Sequence, residues 1–131
     1  MRDTTKYLLT AGAAFGLLAG ITHTALSQDK GADNPIKAAM QKYHKAPKGT
    51  DPTCKIAGEG KASKADLEGM VKAYTAMAAA KPPQGDDASW KDKTAKLLAA
   101  TKDLHAGKPG AADAYKAAVN CKACHSVHRP Q

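Results

Sequence analysis

Beyond residue 27 the chain carries only four aromatic side chains, Tyr43, Tyr74, Trp90 and Tyr115, and alanine makes up most of its other apolar residues. A single domain of this size has a thin core even with large side chains. An alanine-rich one buries still less apolar area per residue. Such a chain can fold as helices, which alanine favours, but its interior calls for filling from outside its own side chains.

The spacing of the larger apolar residues agrees with helix. Asn34-Pro35 reads as a cap followed by the proline tolerated in a first turn, with Ile36, Met40 and Tyr43 on one face and Pro47 and Gly49 as the stop. Ser63, with Asp66 three residues on, reads as a capping-box variant opening a second helix. Its inward stripe is Leu67, Met70, Val71, Tyr74, Met77 and Ala78, and Pro82-Pro83-Gln84-Gly85 ends it. A third helix is predicted from about Ser89, with Trp90, Thr94, Leu97, Leu98, Thr101 and Leu104 on one side. After Gly107-Lys108-Pro109-Gly110, a fourth is predicted from Ala111 to about His128, with Ala114, Tyr115 and Ala118 facing in. No stretch alternates with strand period. Short links join the last three, so the expected architecture is an all-α, up-and-down antiparallel four-helix bundle. Residues 46–62 are expected to be a long connection holding Cys54.

The start of the chain predicts export. Met1, Arg2 and Lys6 precede a charge-free run over residues 8–21, and Ala25 and Ser27 then fit the −3 and −1 positions of a cleavage site. That apolar run suits a signal peptide at 1–27 and is short of the roughly 20 residues a membrane-spanning helix needs. The domain would then be 28–131, periplasmic, without stable membrane insertion after cleavage. Thiols outside the cytoplasm are normally paired or otherwise committed, and this chain has three, Cys54, Cys121 and Cys124.

Two of them lie in Cys121-Lys122-Ala123-Cys124-His125, a C-x-x-C-H. Helical positions i, i+3 and i+4 share one side, so both thiols and the imidazole are presented together. Two thioether bonds and one iron ligand can then come from a single turn, which is the attachment pattern of c-type haem. Two other readings use the same residues. A redox dithiol expects a βαβ context, which is missing. A zinc site would recruit His125 and His128, four ligands crowded on barely two turns. One covalent haem c is the expected cofactor.

With C-x-x-C-H closing the last of four helices, the chain resembles the class II c-type cytochromes, the cytochrome c′ and cytochrome c-556 group. The resemblance is carried by Trp90, Lys93, Leu97, Ala99-Ala100, Leu104, Gly107, Cys121-Lys122-Ala123-Cys124-His125 and Arg129. His128 stands where the family usually has an aromatic residue before the basic Arg129. The resemblance implies that Cys121, Cys124, His125 and Arg129 bind the haem, with His125 on the iron. In the low-spin members it further implies a methionine ligand from the first helix, a position matched here by Met40. His44, one turn on at the edge of the same face, is the competing sixth ligand. Neither His105 nor His23 has a claim.

These options carry different functions. A Met/His-ligated iron suits electron transfer, and an electron carrier is the expected function. A five-coordinate iron, with neither Met40 nor His44 bound, would bind nitric oxide or another small gas. A haem-free bundle with a zinc or disulfide site is the third reading. No paired carboxylates or nucleophile–base arrangement stands out, so no catalytic residues and no enzyme activity are expected. The formal net charge of +8 favours a redox partner with an acidic docking surface, and nucleic acid finds no binding motif. Cys54 is expected to be a reduced, partly buried thiol or the link of a disulfide homodimer.

Overall fold

A computed structural model describes residues 34–131. The expected signal peptide, its cleavage site and His23 lie outside the described residues. The described residues are all-α, with no strand among them. Six helices occur: α1 Pro35–Tyr43, α2 Thr53–Gly58, α3 Lys64–Ala79, α4 Asp87–His105, α5 Ala111–Ala118 and α6 Cys121–His128. None is long and apolar enough to cross a membrane.

The helix starts follow the local chemistry. Asn34 Oδ1 accepts from the backbone N–H groups of Ile36 at 3.0 Å and Lys37 at 3.1 Å, satisfying donors that the first turn leaves open. Ser63 Oγ accepts from the Asp66 N–H at 3.1 Å and donates to the Asp66 carboxylate at 2.6 Å. The third expected helix begins earlier than Ser89, because Asp86 is the cap and accepts from the Ser89 N–H at 2.8 Å.

Two expectations need correction. The connection over residues 46–62 contains α2, a turn and a half after Pro52 that is too short to show periodicity. The expected fourth helix is two helices. Val119 leaves helical geometry (φ −79°, ψ 45°), and Asn120 starts α6 by accepting from the Ala123 N–H at 3.0 Å. On α5 the inward residues are Ala111 and Tyr115, while Ala114 is exposed.

The core is built mainly of Tyr43, Leu67, Met70, Tyr74, Met77, Trp90, Leu97 and Tyr115. α3 packs on α4, α4 on α5, and α1 on α3, while α2 bridges α1 and α5. Buried Thr94 and Thr101 are satisfied within α4, each hydroxyl donating to the carbonyl oxygen four residues back, at 2.8 and 2.7 Å. Tyr43 of α1 packs over Gly69 of α3, where an added Cβ would run into the Tyr43 hydroxyl. Glycine is thus a packing requirement there. At the other end, Gly85 (φ +86°) holds the turn before α4, and a Cβ on it would stand 2.8 Å from the Val127 carbonyl oxygen. The end of α6 rests directly on that turn.

Candidate functional site

The break before Asn120 gives the C-x-x-C-H a helix of its own, packed on α4. Cys121 is exposed, and Cys124 and His125 are half-buried. All three cysteines are free thiols. Cys121 Sγ makes one weak contact, 3.5 Å to the Val119 carbonyl oxygen, whereas neither Cys124 nor the His125 ring has a hydrogen-bond partner among the described residues. The three reactive groups are therefore available and gathered on a single turn.

His128 is used differently. It is buried, with Nδ1 2.9 Å from the Gln84 carbonyl oxygen and Nε2 3.2 Å from Ser89 Oγ. Its ring stands edge-on to Trp90 at 5.3 Å between centroids, and Trp90 Nε1–H donates to the Ala80 carbonyl oxygen at 2.9 Å. This cluster fastens α6 to α4 and to the preceding turn. It occupies both nitrogens of His128, and among the described residues no three His, Cys, Asp or Glu side chains are grouped to hold a metal ion. The zinc arrangement of Cys121, Cys124, His125 and His128 is accordingly not assembled.

Electrostatic influence shows what lies near the motif. The Cys54 thiol is pushed up by burial and further by Cys121. Burial also raises the Cys124 thiol, while Lys93 draws it down. Tyr74 and Tyr115 are both buried and held well above the ordinary phenol range, chiefly by burial, with Cys54 and Cys121 adding to it. Burial pushes the His44 imidazole down to about 4, and His125 acts in the same direction. At neutral pH the neighbourhood is a set of protonated phenols and a neutral imidazole. Their hydroxyls and ring are joined: Tyr74 Oη lies 2.8 Å from His44 Nε2 and 3.1 Å from Tyr115 Oη.

The remaining site residues fall as follows. Met40 is half-buried against the core on α1, and its carbonyl oxygen accepts from the His44 N–H at 3.1 Å. Arg129 is exposed and lines a cleft of about 430 Å³ with Lys122, His125, Ser126, Pro130 and Gln131. Cys54 is 9% exposed and belongs to the core cluster, which favours a reduced core thiol over a link to a second copy. The Tyr74–Tyr115 pair escaped the sequence reading of the site. Both were read as inward-facing, but nothing in the spacing showed that their hydroxyls would meet across α3 and α5. No family model matches the chain, and no curated protein or solved structure is detectably similar to it.

Proposed function

We propose that the protein is an exported monohaem c-type cytochrome that carries electrons. The observation that carries the reading is a single helical turn presenting two free thiols, Cys121 and Cys124, and the imidazole of His125, whose ring has no hydrogen-bond partner among the described residues. The donor set fits the group: two thiols for thioether bonds and a nitrogen for iron. Cys121 and Cys124 would hold the porphyrin covalently and His125 would bind the iron. Arg129, on the rim of the cleft beside His125, would pair with an acidic edge of the porphyrin. When bound, the haem supplies a one-electron iron couple. The chain's part is to anchor it, to set its second ligand from α1, at Met40 or His44, and to offer a basic surface to an acidic redox partner.

The finer architecture belongs to the same proposal. α1, α3, α4 and the α5–α6 pair would form the up-and-down four-helix bundle of the class II cytochromes, with α2 closing the side between α1 and α5. A haem beside α6 would add the apolar bulk that an alanine-rich interior lacks. The chain acts as a carrier rather than an enzyme, in the periplasm, after removal of residues 1–27.

The test is a pyridine haemochrome assay on full-length chain expressed with c-type maturation machinery. One haem per chain that resists acid–acetone extraction is expected, together with its loss in Cys121→Ser/Cys124→Ser. Extractable haem, or none, overturns the reading. A five-coordinate ferrous spectrum that responds to nitric oxide or carbon monoxide would shift the assignment to gas binding.

A further inference from the structure

We propose that Ser89 and His128 form a nucleophile–base pair that hydrolyses small, uncharged carboxylic esters through an acyl-Ser89 intermediate. The inference goes beyond the carrier reading and does not rest on haem.

The protons of the cluster follow from its chemistry. His128 Nδ1 lies 2.9 Å from the Gln84 carbonyl oxygen, which can only accept, so Nδ1 carries the ring hydrogen. In the neutral ring Nε2 is then bare. It lies 3.2 Å from Ser89 Oγ, whose hydroxyl donates to it. This is the relation of a general base to a serine nucleophile, with the base oriented by a third group, here a main-chain carbonyl. The ring is held edge-on to Trp90, 5.3 Å between centroids. On its other side the turn at Gly85 closes so tightly that a Cβ there would stand 2.9 Å from Nδ1.

Exposure is divided as such a pair needs. His128 is 3% exposed, so water competes little for its nitrogens. Ser89 is half-buried in the first turn of α4, and Asp86, Asp87 and Ala88 just before it are exposed. A small acyl group can therefore approach Oγ from solvent, while the two neighbouring carboxylates disfavour an anionic one. Lys93, one turn on, donates from Nζ to Ser89 Oγ at 3.1 Å. It has no carboxylate partner among the described residues. Its ammonium group thus stands beside the atom at which an attacked carbonyl builds negative charge. A histidine that only fastened α6 to α4 would need no cation on its serine partner.

In the first step the Ser89 Oγ–H proton passes to His128 Nε2 as Oγ bonds to the ester carbonyl carbon. The carbon–oxygen bond to the leaving group then breaks, and the leaving alkoxide takes the proton from Nε2. Water, deprotonated by the same nitrogen, attacks acyl-Ser89, releases the acid and restores the serine. Ester and water become acid and alcohol, with no redox change.

The test treats the full matured chain with a fluorophosphonate probe and with 4-nitrophenyl acetate. One phosphonyl adduct per chain, mapped to Ser89 by peptide mass spectrometry, is expected, with an initial burst of 4-nitrophenol. Ser89→Ala should lose both. His128→Gln keeps a hydrogen-bonding side chain without a base, and should slow labelling of Ser89 by about a hundredfold or more while retaining the wild-type helical circular dichroism. Lys93→Met should slow ester hydrolysis, and Lys93→Arg should restore most of it. A wild type without an adduct on Ser89 overturns the proposal, and so does a burst that persists in Ser89→Ala. Labelling of Ser89 at the wild-type rate in His128→Gln also overturns it. The first two outcomes are decisive whether or not His128→Gln folds, and neither bears on covalent haem attachment.

Discussion

The ring of His128 is gripped by the Gln84 carbonyl oxygen, by Ser89 Oγ and by the edge of Trp90. Truncation to alanine removes both hydrogen bonds and leaves a cavity against Trp90. We expect His128→Ala to cost about 2 kcal/mol, read as a lower denaturant midpoint followed by Trp90 fluorescence. On the proposed haem reading, attachment should survive, because Cys121, Cys124 and His125 are untouched. Abolished attachment would tie His128 to the site. His44 responds to pH in the haem-free chain. Its folded pKa, about 4, is below the unfolded 6.5, so the unfolded chain binds the proton more readily. Stability from this group is full above about pH 6.5 and declines as pH falls toward 4. Tyr74 stays neutral over that window. His44→Gln, which retains a hydrogen-bonding partner for Tyr74, should flatten the decline in denaturation midpoint between those pH values. An unchanged slope would contradict the assignment.

At the scale of elements, α1 and α3 meet through a glycine. Gly69→Ala would ordinarily stabilise a helix interior by up to about 1 kcal/mol. Here the new methyl group would collide with the hydroxyl of buried Tyr43, a rigid ring with no slack in a packed core. Overpacking costs about 1–3 kcal/mol, so net destabilisation is expected, with relief in the double variant Gly69→Ala/Tyr43→Phe. A thermal midpoint that rises in the single variant would show that α1 yields easily. The caps at Asn34 and Ser63 were legible because a single short side chain suffices to satisfy a first-turn N–H. The break between α5 and α6 was not. Ala111 to His128 contains no proline and no glycine, and the helical pattern runs through it. Asn120 carried the only local signal, as a good cap standing just ahead of Cys121.

Across the whole molecule, the ion pairs among the described residues lie on exposed side chains, such as Lys72–Glu68 and Lys96–Asp92, both 2.8 Å and one helical turn apart. All are solvent-screened surface pairs, so they do not hold the fold together. Lysines outnumber the acidic residues, giving a net charge of +8, and Lys122 and Arg129 are among the residues that line the C-terminal cleft. On the proposed electron-carrier reading, transfer to an acidic partner should therefore slow as salt rises from about 10 mM to 150 mM, since the screening length shrinks over that range. Stopped-flow rates independent of ionic strength would argue against electrostatic docking.

The helical class, most helix boundaries, and the availability of Cys121, Cys124 and His125 on one side of one turn could be read from the chain alone, because each depends on residues within a few positions of one another. The sequence also set the rivalry between Met40 and His44, both on one face of α1. Only the tertiary structure separated His128 from His125, by seating the former between Trp90 and Gln84. Likewise, only the packing of α3 against its neighbours brought Tyr74 to both His44 and Tyr115, 30 and 41 residues away in the chain. Hydroxyl and imidazole pairings of that kind are set by how helices dock, and no local pattern records them.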